Sequence, residues 1–502
     1  LNSMSVPCYS FFVPVVRSEA GILNNKLLWV DPVSFPLAQL GNNMQAVVFS
    51  FDKEAKTIKA QWYNYNYATG TISGNALKTL TYKAPKTTNE EMDADSKIIM
   101  NRLTDLLNYH IIIGDIEAAN SQTDLYDYRY FPTKGRGTVR FKTVADPEHD
   151  YANMEVDGGW QIETGEKVNI IQRFDFARGT STNGNGRTYL IDRPLQTSLL
   201  SVYDILSNKA EYPEFSLFFD LMMDAQGRTV DIKDPKNASK ILYKADNKPM
   251  FATNSNSHAI GAERCVSTLN SYHYTLYVPS NDSIQDLIDK GYLYTEASLK
   301  KIQADLDSIK LEIETFYGAN QGDLAAKDFK DTLIAFHKKL RGVAATAPST
   351  PADSAFDYTM FVEAMRERLK NFIKYHIQDN AVYANAEFKV GKLDNGQDAP
   401  DASYETAFMD RDGQFTKLTV AGGRNVTVTD GMGNTRHVVK AYSGGDPANA
   451  PLWNIMCREY EYDKATIAST SAVSGASIET SSYVVIHQID GPLMHESFTE
   501  EQ

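Results

Sequence analysis

Nine histidines, three cysteines and 64 acidic side chains are the raw material for chemistry in these 502 residues. Two histidines share one setting: Tyr109-His110 ends the run LLNYHI, and Tyr375-His376 ends FIKYHI. A histidine at a helix end beside a strand is placed either to move protons or to hydrogen-bond a backbone carbonyl and be buried satisfied. The structural role is expected for both pairs, because a motif present in two copies serves what the copies share. Other constellations that carry catalysis are missing: the sequence has no H-E-x-x-H, no C-x-x-C and no G-x-S-x-G. Asp410, Asp412 and Gly413 resemble part of a calcium loop, but the twelfth position from Asp410 is Ala421, where a bidentate Glu is required. The glycines of GTSTNGNGR invite a phosphate-loop reading, yet the β-like run TYLIDRPL follows in place of a helix, so a hairpin loop is expected. No cofactor, no metal and no catalytic residue is assigned, and the chain is read as a non-enzyme.

The elements that deliver these residues come in two sets. Ile99, Leu103, Leu106 and Leu107 form one apolar helix face leading to Tyr109 and His110; Phe361, Met365, Leu369, Phe372 and Ile373 do the same for Tyr375 and His376. Ahead of each helix lies an aromatic strand, YSFFVPV with Pro14 and YTLYVPSND with Pro279. Pro14 and His110 are 96 positions apart, and Pro279 and His376 are 97 apart. A third pair closes each set, YLIDRPL ending at Leu195 and VIHQIDGPL ending at Leu493. Three landmarks in one order, twice, the first two at matched spacing, predict a tandem repeat of one domain.

These landmarks resemble the fasciclin-like domain, with its strand running into a Val-Pro-Ser/Thr-Asn/Asp turn, its helix ending in Tyr-His-Ile and its closing strand with Ile-Asp. The first copy departs at the turn, where Val15 and Val16 replace the small polar pair. The resemblance implies an α+β fold, two tandem domains of β-sandwich or wedge type with packed helices, over about residues 1–200 and 201–502. It also implies a mostly adhesive, extracytoplasmic protein. In some animal members the Tyr-His segment is an integrin-binding element.

The chain carries a formal charge of −14 with pI near 5.2 and no basic cluster, which argues against nucleic acid. No apolar run is long enough to span a bilayer. Cys8, Cys265 and Cys457 exclude a disulfide framework.

Each unit is expected to carry long insertions. Residues 19–91 are β-rich, with turns at Ala68-Thr69-Gly70 and Ser73-Gly74; there Trp62 shares one strand face with Ile58 and Ala60, and Tyr63, Tyr65 and Tyr67 share the other. Residues 227–261 read as loop. From Thr295 to Gly342 two apolar stripes predict an antiparallel helical hairpin, with Leu311, Tyr317, Leu324 and Ile334 off the main seams and available to a partner. Two helices carrying Val202, Ile205 and Leu206, then Phe215, Phe218, Leu221 and Met222, open the second unit ahead of its aromatic strand, and nothing corresponds to them ahead of Leu1. The expectation is that the chain starts inside its first repeat, which lacks its opening helices or borrows an equivalent from outside.

Large insertions, acidic charge and few cysteines look like bacterial, Bacteroidota-type members of the resembled family. Those are commonly surface lipoproteins found with SusC/SusD-like nutrient importers at the outer membrane, and a lipid anchor upstream of this chain would follow. The leading expectation is therefore a non-catalytic surface protein with a protein partner. A glycan-binding protein using Trp62, Tyr63, Tyr65 and Tyr67 is the second, and an unrecognised hydrolase the third.

Overall fold

Aromatic and β-branched residues concentrate in YSFFVP and HYTLYVP, and these form the strands Tyr9–Pro14 and His273–Pro279. Tyr9–Pro14 pairs parallel with Gly186–Ile191 and antiparallel with Ile111–Ile113; His273–Pro279 pairs parallel with Ile478–Ile489 and antiparallel with Ile377–Asp379. The registers coincide, with Pro14 opposite Ile191 and Pro279 opposite Ile489. Beyond Ile111–Ile113 a bridge from Ile112 to Thr133 leads to Arg129–Pro132, Thr138–Lys142 and Glu155–Asp157. Beyond Ile377–Asp379 come Ala402–Met409, Phe415–Ala421 and Thr427–Thr429, then one more strand, Thr435–His437. The opposite edges are Ile170–Asp175 and Ile455–Tyr462. One strand order thus occurs twice along the chain, and helices with mixed sheets make the fold α+β.

The structure, a computed structural model, describes residues 9–14, 26–30, 43–117 except 53 and 67–70, 127–176, 186–225, short pieces between 227 and 266, 273–302, 304–305, 308, 358–385, 402–462 except 411, and 478–496. Most of the expected helical hairpin, including Leu311, Tyr317, Leu324 and Ile334, lies outside these residues; helix is described at its start, over residues 296–302.

The helix Ala94–Tyr109 begins where the Asp93 side chain accepts from the Ser96 N–H at 2.7 Å, satisfying one of the free amides of the first turn. Its buried face, Ile99, Leu103 and Leu106, packs on Val47, Phe49, Ala60, Trp62 and Leu80. Those belong to an antiparallel sheet of Lys26–Val30, Asn43–Asp52, Thr57–Asn66 and Thr71–Tyr82. Two expectations change here. Leu107 is 56% exposed and stands off the buried face. Ser73-Gly74 is no turn: it lies within the strand Thr71–Tyr82 at a register shift, where Gly74 has φ +76° and forms a bulge. In 227–261, read as loop, Ile232–Asp234 pairs with Asn237–Tyr243, and Phe251–Thr253 pairs with Arg264–Val266.

The two frames are covered differently. On one side of each, the sheet closes over its own return strands: Phe12, Phe131, Phe141, Tyr189 and Ile191 in the first, Tyr277, Leu418, Val420, Val428 and Ile489 in the second. On the other side of the second frame, Tyr274, Leu276, Val278, Val484 and Ile486 share a core with the helices Val202–Ser207 and Ser216–Asp224 and with Leu369, Phe372 and Ile373 of the helix Tyr358–Tyr375.

The frames also touch. Tyr130 and Tyr383 stack at 5.2 Å with planes 17° apart, beside Met456 and Val485. The Tyr130 N–H donates to the Asn385 carbonyl at 3.1 Å, the Asn385 amide to the Tyr128 carbonyl at 2.7 Å, and Arg458 Nη1 to Thr197 Oγ1 at 2.7 Å. Arg424 and Asp127 form an ion pair across the same junction.

Candidate functional site

Each histidine sits where the helix stops and the chain turns into a strand. The His110 carbonyl accepts from the Phe12 N–H at 2.9 Å, and the His376 carbonyl from the Tyr277 N–H at 2.9 Å. Nδ1 faces the carbonyl one helical turn back, Leu106 at 2.7 Å in the first frame and Phe372 at 2.7 Å in the second. Nε2 receives the backbone N–H of Leu195 at 2.8 Å and of Leu493 at 3.0 Å. A backbone N–H only donates, so Nε2 is the acceptor and the proton is on Nδ1 in both rings. The second and third sequence landmarks are therefore one object: the histidine is the peg, and the Leu after Asp-x-Pro is what it holds.

Both rings are fully buried, and burial pushes the His110 imidazole down to about 4 and the His376 imidazole down to about 3. Protonating Nε2 would set an N–H against the Leu N–H. His487 is a third buried ring of this kind, accepting from the Asn454 N–H at 3.1 Å on Nδ1 and facing the Val382 carbonyl at 2.7 Å on Nε2, with burial lowering it to about 4.

The tyrosines are pinned as well. The Tyr109 hydroxyl donates to the Thr138 carbonyl at 3.0 Å, and the chain wraps the ring so tightly that a Cβ on Gly137 would lie 2.6 Å from it. The Tyr375 hydroxyl accepts from the Gly431 N–H at 2.8 Å and faces the Lys417 carbonyl at 3.4 Å. Burial raises both phenols, Tyr375 to about 12 and Tyr109 well above its ordinary value. Backbone groups engage both ring nitrogens of each histidine and both hydroxyls, and these contacts tie each helix end to its neighbouring strands and loops.

Of the aromatic row, Trp62 faces inward. Trp62 is 1% exposed and lies against the helix Ala94–Tyr109, because its strand face looks inward; of the row, Tyr63 is half-buried, while the Tyr65 side chain and Tyr67 lie outside the described residues. At Asp410, Oδ1 accepts from the N–H of Asp412 at 3.0 Å and of Gln414 at 2.9 Å, which closes the hairpin between Ala402–Met409 and Phe415–Ala421. Among the described residues no three His, Cys, Asp or Glu side chains group to hold a metal, and no helix is long and apolar enough to cross a membrane. Cys457 is free and buried.

One charged cluster escaped the sequence. Arg173 meets Glu117 at 2.6 Å and Asp175 at 2.8 Å, Arg187 meets Asp115 at 2.5 Å and Glu117 at 3.1 Å, and the Tyr189 hydroxyl donates to Glu117 at 2.7 Å. Strand pairing puts Arg173 opposite Tyr189 and Asp175 opposite Arg187. The residues lie far apart in the chain, so no local motif announces them. Both guanidinium groups are paired, and the cluster reads as a brace on the inner face of the sheet.

No family model and no curated protein matches this chain. Among solved structures, one match is to a FAS1 domain pair from the insect cell adhesion molecule fasciclin I, at 14% identity over 79% of this chain and 81% of that one, with a TM-score of 0.21. So loose a superposition carries no argument.

Proposed function

We propose that the chain is a non-catalytic, extracytoplasmic interaction protein built of two tandem fasciclin-like domains, each bearing insertions that meet a protein partner. The observation that supports this reading is the fate of the Tyr-His pairs. They are the chemistry-bearing residues both frames share, and both histidines are engaged by the fold through the same three contacts. What distinguishes this protein then resides where the frames differ. The boundaries near residue 200 belong to the same reading, since the repeated strand order runs from Tyr9 to Ile191 and again from His273 to Ile489. An accessory surface lipoprotein beside a SusC/SusD-like importer, anchored through residues upstream, is the finer form of the proposal.

The amphipathic stripes of residues 295–342 make that segment the first docking candidate, with Leu311, Tyr317, Leu324 and Ile334 toward the partner. Replacing it with a short Gly-Ser linker is expected to leave both domains folded by thermal melt and to abolish co-purification with a membrane partner. Recovery of the same partner at the same yield would remove the segment from that role.

A further inference from the structure

Among the described residues, the first frame exposes an apolar surface whose counterpart in the second frame is buried. Counting from the matched prolines and histidines, Val13 corresponds to Val278 and Leu107 to Ile373. Val13 is 45% exposed and Leu107 56%, whereas Val278 and Ile373 are both at 0%. Tyr9 and Phe11 are half-buried where Tyr274 and Leu276 are buried. Strand pairing extends the bare face. Ile113 lies opposite Tyr9, and Phe174 lies beside Thr188, itself the neighbour of Phe11. Ile113 is 43% exposed, Phe174 38% and Phe176 50%, and the two phenylalanine rings stack at 6.2 Å. Several large apolar side chains in one contiguous patch are what a soluble surface ordinarily avoids.

What covers such a face is shown by the same chain. Over the second frame lie Val202–Ser207 and Ser216–Asp224, whose Ile205, Leu206, Phe215, Phe218, Leu221 and Met222 share one core with Leu276, Val278 and Ile373, while Asp220 on the opposite side is exposed. In the first frame the insertion sheet takes Leu103 and Leu106 of the matching helix and stops short of Leu107 and the strands. We infer that the face formed by Val13, Leu107, Ile113, Phe174 and Phe176 docks an amphipathic two-helix segment of a partner polypeptide, apolar toward the sheet and polar outward, in the manner of residues 201–225. This rests on the interaction reading above and adds a second surface to it, independent of residues 295–342.

The test uses thiol accessibility on the full chain. Cysteine replaces Val13, Phe176 or, as a buried reference, Val278, and alkylation by iodoacetamide at each site is followed by peptide mass spectrometry. Val13→Cys and Phe176→Cys are expected to react at nearly the rate of a free thiol, and Val278→Cys at least a hundredfold more slowly. Residues 201–225, fused ahead of Leu1 through a flexible Gly-Ser linker as the probe, should slow both first-frame sites at least tenfold, because tethering supplies a high effective concentration. The same fusion carrying Phe218→Asp and Leu221→Asp should not. Three outcomes overturn the inference: slow alkylation in the unfused chain, meaning that the chain covers its own face; slowing that appears only with dimers seen by light scattering, meaning that a second copy is the occupant; or no protection from the fused helices. None of these depends on partner recovery after removal of residues 295–342, so the two proposals fail separately.

Discussion

Leu107 and Ile373 each lie three residues before the buried histidine of a frame, on helices that end in the same hydrogen bonds, and one is 56% exposed while the other is fully buried. The residue type is alike, and the environment differs because different elements pack on the two helices. The first helix lies under a four-stranded sheet and the second under two helices. The frame therefore sets where side chains point, and the additions decide which of them water still sees. A surface particular to this protein has to be sought among the additions and the places they fail to reach.

The sharpest way to break the comparison is at the pins. Replacing His110 or His376 with Ala orphans a buried Leu N–H and opens a cavity, and each is expected to cost about 3–5 kcal/mol in chemical denaturation. Equal losses would support one frame used twice; a small loss at one site would mean that its pin is dispensable. Trp62→Ala probes the first cover and should cost a similar ~3–5 kcal/mol as a core truncation. An unchanged denaturation midpoint together with lost glycan binding on an array would restore the platform reading.

Acid provides the next contrast. His110, His376 and His487 have folded values of about 4, 3 and 4, below the usual 6.5, so between those values the unfolded chain binds more protons than the folded one. The stability they confer is complete above pH 6.5 and is lost as pH falls toward 4, with each ring contributing about 1.4 kcal/mol per pH unit inside that window. Denaturant midpoints at pH 7.5, 6 and 5 should fall accordingly, and His487→Gln should flatten the slope by about one proton. A flat profile would contradict neutral burial. The smallest effect belongs to the junction: a double-mutant cycle on Tyr130 and Tyr383, each to Leu, should return about 0.5–1.5 kcal/mol of coupling.

Much of the frame was legible because its parts recur: Tyr109-His110 and Ile-Asp-Arg-Pro-Leu could be matched to a second copy, and backbone geometry left few ways to join them. The helix face was read one residue too wide at Leu107, since periodicity marks apolar positions and not what reaches them. The Arg173, Arg187 and Glu117 cluster was invisible because strand pairing, a long-range event, assembles it. Aromatic content alone makes Trp62 look like a platform residue, but its strand face, shared with Ala60, is the one that packs on the helix.

The central claim, one frame with two different covers, is tested most directly by making one substitution at the two matched positions. Leu107→Asp and Ile373→Asp, compared by urea denaturation at pH 7.5, should separate widely. The account predicts a change within about 0.5 kcal/mol for Leu107→Asp, as for an exposed site, and a loss above about 4 kcal/mol for Ile373→Asp, where an unpaired carboxylate would be buried. Comparable losses at both positions would show that the first frame is covered as fully as the second and would contradict it.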